Sequence, residues 1–334
     1  MLKRQKAKLL LLEDIANLQP GLAIPSVREL MERYHLSQRT IMSAVGELAE
    51  QGILKRKAKS GIYVADRNEP EDITAFLLGL QLTRTSMMVL QGIQEELQRH
   101  HQGLLLLFWS DSNFHTIASI LRENRIRSVI LMPNSTDIDN MEFIRFVQGL
   151  EKSGIRLAVT NLPIPGVTAP FVGEENRRGF QWMAEKFAAR GFQSITVAGK
   201  FGSQVYAARL DGIRKGLKPY GIQIQQVDMD GSSSLREMAQ RILQLPNRGI
   251  ILTDAGTANI IVYELMNIIP RRQFAEYYIG GIKEPGDVWP LSPKQSCWLE
   301  KNSVEMGRQA VQLLNDNSIA SNTIRFLTFQ INGI

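Results

Sequence analysis

The side chains best suited to chemistry lie within residues 24–64, and that chemistry is recognition rather than bond breaking. Arg28, Ser37, Gln38, Arg39 and Thr40 are followed closely by Lys55, Arg56, Lys57 and Lys59. Glutamine and arginine offer two-point forks that match the major-groove edges of adenine and guanine. Lysine and arginine neutralise phosphates. Residues 1–66 hold eleven Lys/Arg against seven Asp/Glu, so this stretch carries +4 of the chain's +6. Positive charge is concentrated where a phosphate backbone would need it.

Those residues need elements to hold them. Pro25 suits the first turn of a helix, where its missing N–H costs nothing, and Ser26 can cap that turn. Leu30 and Tyr34 then share one face. His35-Leu36 reads as a turn, and Ser37 as the N-cap of the next helix. Ile41, Val45 and Leu48 follow at spacings of four and three, which predicts one buried face. Gln38, Arg39, Met42, Ser43 and Glu47 are left on the open faces. Gly52 ends that helix. Two strands are predicted over 53–56 and 62–65, joined by the basic tip Lys57-Ala58-Lys59-Ser60-Gly61. The order is a winged helix-turn-helix, a module that reads duplex DNA. A basic three-helix interaction scaffold explains the helices, but not the agreement of cap, turn, core spacing and basic wing.

The stretch 8–65 resembles the DNA-binding domain of the GntR family. The matching runs are Ile24-Pro25-Ser26-Val27-Arg28-Glu29-Leu30, Leu36-Ser37-Gln38-Arg39-Thr40-Ile41 and Lys59-Ser60-Gly61-Ile62-Tyr63-Val64. The resemblance implies that Arg28, Thr40 and the wing around Gly61 touch DNA; Ser26, Ser37, Gln38, Arg39, Lys57 and Lys59 complete the expected DNA-binding set. The family often has arginine where Gln38 stands, basic residues at Met42 and Ser43, and glycine at Lys59. These departures leave the fold intact and bear on the operator sequence.

The chain of 334 residues is too long for a winged helix alone. Its 44% hydrophobic and 22% charged residues fit a soluble globular protein. The single cysteine, Cys297, excludes an internal disulfide and fits a reducing, cytoplasmic setting. No apolar run has the length of a membrane span. The apolar run at 9–12 is followed at once by Glu13-Asp14. It reads as a first amphipathic helix rather than a signal peptide.

Residues 67–72 are polar, carry a proline and read as a linker between domains over 1–66 and 73–334. Beyond it, short apolar strands alternate with helices. Strands are predicted near 104–109, 129–132, 157–160, 171–173, 194–198, 222–227, 249–252 and 277–279. Helices are predicted near 87–100, 116–123, 143–152, 180–190, 205–217, 235–244 and 259–268. This is an α/β pattern of parallel sheets covered on both faces. Two similar blocks predict two lobes with a cleft at the carboxyl ends of the strands.

Residues 72–332 resemble the effector domain of LacI/GalR regulators, the fold of periplasmic sugar-binding proteins. The resemblance rests on Glu174-Glu175-Asn176-Arg177-Arg178-Gly179, Arg190-Gly191-Phe192-Gln193-Ser194-Ile195, Arg209-Leu210-Asp211-Gly212-Ile213, Leu252-Thr253-Asp254, Tyr278-Ile279-Gly280-Gly281 and Glu305-Met306-Gly307-Arg308-Gln309-Ala310. A GntR-type reader joined to such a sensor is the architecture of arabinose regulators of the AraR type. The combination implies a repressor, homodimeric on an inverted-repeat operator, controlled by a sugar or sugar-derived effector.

That resemblance places Arg209 at the effector, where its fork can hold hydroxyls or a carboxylate. Thr253, Asp254 and Glu174 are further cleft candidates, with an N-cap role equally open to Asp254. Thr83 and Arg84 either enter the cleft or cap the next helix. The family's late-strand aspartate falls at Ile282, followed by Lys283. Loss of that acceptor, with Arg209, Arg84 and Lys283 nearby, predicts a pocket that prefers an anionic ligand such as a sugar acid. No cofactor and no metal is expected.

An enzyme is the rival class. There is no phosphate loop and no His-Glu-x-x-His motif. All four histidines, His35, His100, His101 and His115, fall in the first third of the chain. A triad with a nucleophile in the second lobe is therefore disfavoured. An α/β domain that only dimerises a DNA reader is the other alternative.

Overall fold

The computed structural model describes residues 3–16, 18–19, 21–57, 61–65, 73–80, 82–229, 234–316 and 318–332. The chain divides into two compact units, 1–71 and 72–334. The expected linker at 67–72 lies outside the described residues.

The first unit contains α1 (Lys3–Ala16), α2 (Val27–Tyr34), α3 (Gln38–Glu50), β1 (Leu54–Lys57) and β2 (Gly61–Val64). Leu11, Leu30, Ile41, Val45 and Leu48 are fully buried and Tyr34 nearly so, which is the apolar face set by the spacing. The Tyr34 hydroxyl donates to Asp14 at 2.6 Å, and Arg33 meets the same carboxylate at 2.8 Å. These bonds tie α2 to α1. Ser26 caps α2 in a capping box with Glu29, so Pro25 stands just before the cap rather than inside the first turn. His35 adopts φ +52°, the left-handed turn that ends α2. The two wing strands pair antiparallel from Leu54↔Val64 to Lys57↔Gly61. The Ile24 amide adds to this ribbon by donating to the Ile62 carbonyl at 2.9 Å.

The second unit has two lobes. The first is built from β3 (Ile73–Gly79), α4 (Arg84–Arg99), β4 (Gly103–Trp109), α5 (Phe114–Glu123), β5 (Ser128–Met132), α6 (Ser135–Ile138), α7 (Met141–Lys152), β6 (Arg156–Thr160) and β7 (Phe171–Glu174). The second contains α8 (Asn176–Ala188), β8 (Ser194–Gly199), α9 (Gln204–Leu217), β9 (Gln223–Asp228), α10 (Leu235–Leu243), β10 (Gly249–Leu252), α11 (Ala258–Ile268), α12 (Arg271–Phe274), β11 (Tyr278–Lys283) and β12 (Ser296–Glu300). The chain then returns to the first lobe with α13 (Ser303–Asn315) and β13 (Ile324–Leu327), and ends in the second with β14 (Gln330–Asn332).

The sheets run β4-β3-β5-β6-β7-β13 and β9-β8-β10-β11-β12-β14. Every described pairing in them is parallel except β12–β14. In each sheet the strand order reverses beside the first strand, which makes a crevice at the carboxyl ends. Several helices begin earlier than apolar periodicity predicts. α8 starts at Asn176 rather than 180, because its first turn is the polar Asn176-Arg177-Arg178 and carries no periodic signal. α4 and α13 pack with backbones in close approach at Gly92 and Gly307: a Cβ on Gly92 would lie 1.8 Å from the Val304 carbonyl oxygen. Among the described residues no helix is long and apolar enough to cross a membrane.

Candidate functional site

In the winged helix the first turn of α3 is the most available surface. Ser37 caps it through the Thr40 amide, and the two hydroxyls lie 2.8 Å apart. Ser37, Gln38 and Arg39 are exposed, while Thr40 is half-buried. Among the described residues no carboxylate pairs with Arg39. Arg28 is 90% exposed and, among the described residues, pairs with Glu32 at 3.5 Å. A surface pair of this kind is worth little and yields readily to a phosphate. Ser26 already accepts the Glu29 amide. In the wing, Arg56 reaches the Met42 carbonyl at 3.4 Å and ties the ribbon to α3. Gly61 holds φ +124°, a conformation that favours glycine. The Lys57 backbone is in β1, and Lys59 lies outside the described residues.

The second constellation lies at the carboxyl ends of β7, β10, β11 and β12. Arg209, on α9, is buried. Its Nε donates to Asn176 Oδ1 at 2.7 Å, its Nη1 to the Thr253 carbonyl, and its Nη2 lies 3.8 Å from Glu174. Burial pulls its pKa down, against the pull of Glu174, Asp254 and Glu284. Glu174 is buried, and among the described residues its Oε1 has no hydrogen-bond partner. Burial raises its pKa, opposed by Lys301 at 3.6 Å and by Arg209. Thr253 is buried with its hydroxyl donating to the Ala198 carbonyl at 2.9 Å. Asp254 is more open, 3.8 Å from Lys200. It is not the cap of α11. That position is Thr257, whose hydroxyl lies 3.1 Å from the Asp254 carboxylate.

The structure brings Arg209, Glu174, Thr253 and Asp254 together and places Thr83 and Arg84 differently. Thr83 caps α4 in a box with Ser86. Arg84 crosses between the lobes to Asp287 at 2.7 Å and to the Pro285 carbonyl at 3.1 Å.

The reading of Ile282 as a lost acceptor is corrected. Ile282 is fully buried in an apolar cluster of the second lobe. The carboxylate at this strand end is Glu284, two residues on. It accepts from Ser303 at 2.7 Å and from Thr85, and meets Lys301 at 3.1 Å. Burial opposes its charge, but Lys301, Thr85 and Ser303 hold its pKa below the ordinary value. The excess of positive charge also disappears, because Lys283 pairs with Glu300 at 2.5 Å and Arg84 with Asp287. The premise for an anion-selective cleft therefore falls.

Thr85, Asn176, Glu284 and Lys301 are site residues that the sequence reading missed. Asn176 stood inside a motif already singled out. Lys301 directly follows β12, whose apolar run Cys297-Trp298-Leu299 was the available signal. Cys297 sits fully buried in that strand, and burial pushes its thiol up to about 11, so it is not poised as a nucleophile.

Residues 3–64 match the family described as "Bacterial regulatory proteins, gntR family". The first unit thus matches the GntR-type winged helix over nearly its whole length, and the second has the two-lobed fold of the solved LacI-type regulators. The chain is similar to the "Arabinose metabolism transcriptional repressor" of Halalkalibacterium halodurans, 25% identical over 234 residues. That match covers 66% of this chain and 61% of the relative, so the chain spans about three fifths of its length. The repressor of the same name from Geobacillus stearothermophilus is 27% identical over 154 residues, 45% of this chain and 40% of that one. These relatives are regulators, not enzymes. Among solved structures, a LacI family transcriptional regulator from Enterococcus faecium, with bound ribose, superposes with a TM-score of 0.63. It is 16% identical, and the match covers 78% of this chain and 96% of that one. The transcriptional regulator CelR–cellobiose complex gives 0.62 at 15% identity, covering 89% and 90%.

Proposed function

We propose that this protein is a cytoplasmic bacterial transcription repressor, homodimeric on an inverted-repeat operator. Residues 1–66 read the DNA, and 73–334 bind a sugar or sugar-derived effector that controls operator affinity. The observation that carries the reading is the exposed first turn of α3, with Gln38 and Arg39 held by the Ser37 cap over a sealed core. Two such helices related by a two-fold axis fit two half-sites of a palindrome. The relatives' names support repression, and the ribose and cellobiose complexes of like-folded regulators support a sugar. In the cleft, Arg209, Asn176, Glu174, Thr253 and Asp254 supply donors and acceptors of the kind that hold hydroxyls.

Footprinting over a salt series tests the DNA half. Affinity falls steeply as salt rises, and Arg39→Ala lowers operator affinity at least about tenfold, the worth of one bidentate base contact. Binding that is absent at low salt, or unchanged in Arg39→Ala, refutes it. Calorimetry against a panel of pentoses and hexoses tests the effector half.

A second reading, an α/β domain that only dimerises the reader, is favoured by one observation. Arg209, Lys301 and Arg84 already have partners within the chain. Lack of any sugar-induced thermal shift would favour this reading over the sensor.

A further inference from the structure

Away from the cleft, the first lobe carries a groove between α5 and α7 at the amino-terminal end of its sheet. Its floor is apolar, formed by Ile126, Phe146 and Leu150, and its rim carries Arg122, Arg127 and Arg145. Among the described residues no acidic residue lines it, and its volume of about 780 Å³ lies in the range of small-molecule sites. The three arginines are exposed. Among the described residues none of them pairs with a carboxylate. The nearby Glu151 is turned away, accepting from the Thr168 amide and hydroxyl at 3.0 and 2.6 Å.

A second, independent observation marks the same groove. Gly149 lies in its wall, within α7, and a Cβ there would meet nothing within 4 Å. Other helical glycines of this unit answer to the chain itself. Gly92, Gly212, Gly216 and Gly307 each face backbone of a packed helix within 2.6 Å of where a Cβ would stand. Glycine is a poor helix former, and at Gly149 no neighbour requires it. Its missing side chain leaves room for something outside the chain.

We propose that this groove is a second ligand site, for an amphipathic organic anion: an apolar body on the Phe146 floor with a phosphate, sulfonate or carboxylate held by the arginine rim. Arginine forks suit such groups. The site is separate from the cleft, so its ligand does not compete with a sugar.

The test uses the full-length protein and 1-naphthyl phosphate, followed by fluorescence and calorimetry, with 1-naphthol and inorganic phosphate as controls. The naphthyl phosphate binds saturably, at least about tenfold more tightly than either control, because a charge-assisted contact and an apolar contact act together. Gly149→Leu fills the groove and lowers affinity at least tenfold, and the double variant Arg127→Gln, Arg145→Gln does the same. Melting temperatures at or above wild type show that Gly149→Leu remains folded. Naphthyl phosphate binding that is unsaturable, unchanged in Gly149→Leu, or matched by 1-naphthol overturns the proposal. Displacement by a cleft-binding sugar overturns the assignment to a separate site.

Discussion

At the scale of single residues, the cleft is held by charges that depend on one another. Arg209 is buried with Asn176, the Thr253 carbonyl and Glu174 as partners. Its loss strands Glu174, whose Oε1 is already without a hydrogen bond among the described residues. Breaking one side of a buried pair costs about 3–5 kcal/mol. Arg209→Ala is thus expected to lower the melting temperature of the α/β unit as well as abolish the proposed sugar response, and calorimetry of the unliganded protein checks the first of these. An unchanged melting temperature would show that the guanidinium serves the ligand alone. Glu284 and Glu174 behave oppositely with pH. The Glu284 carboxyl is held low, so its stabilising contribution is present above about pH 4.3, the unfolded value, and is lost as pH falls through the native value. Glu174 is pushed up, so its contribution is lost as pH rises through its native value. Glu284→Gln should therefore lower stability at neutral pH, where Lys301 loses a charged partner, and flatten the acid limb of the stability profile. Denaturant titrations across the acid range would show a limb as steep as wild type if Glu284 were not coupled to Lys301.

At the scale of elements, one substitution is expected to have opposite signs at two helical glycines. Gly92→Ala forces α4 off α13, because the new methyl meets the Val304 carbonyl oxygen. Overpacking of this kind costs about 1–3 kcal/mol. Gly149→Ala meets nothing and stabilises α7 by about 0.5–1 kcal/mol. Paired urea titrations of the two variants measure both. A destabilised Gly149→Ala would mean that the glycine serves the fold rather than an empty groove.

For the whole molecule, the lobes are joined by three chain crossings, after β7, β12 and β13, and by side chains that bridge them directly. Ser135 meets Ser203 at 3.1 Å, and Arg84 reaches Asp287. A ligand that binds between lobes acts on the operator only through a difference in its affinity for two arrangements. For the proposed sugar effector, linkage makes the effect reciprocal: operator DNA is expected to weaken sugar binding by the same factor as sugar weakens operator binding. Equal sugar affinity for free and operator-bound protein would exclude a switch. At a hundredfold excess over its Kd, such a sugar stabilises the folded protein by about 2.7 kcal/mol, which a thermal shift detects.

What the sequence determined by itself was local. Ser26 and Ser37 cap the helices that follow them, and Leu30, Tyr34, Ile41, Val45 and Leu48 form the buried face. Caps and periodicity act within one or two turns, so residue order alone reveals them. The strand–helix alternation marked the two-lobed fold for the same reason. Polar first turns, such as that of α8, and the short edge strands β13 and β14 left no periodic trace. Only the tertiary structure decided which charges meet. Lys301 bonds to Thr85 across 216 residues and lies beside Glu174 and Glu284. Glu284 supplies the carboxylate that counting along the strand had assigned to Ile282. Residues two apart on a strand share a face, so alternation does not separate Ile282 from Glu284; contacts between distant segments depend on packing, so motif spacing could place the strand but not choose which residue at its end faces the cleft.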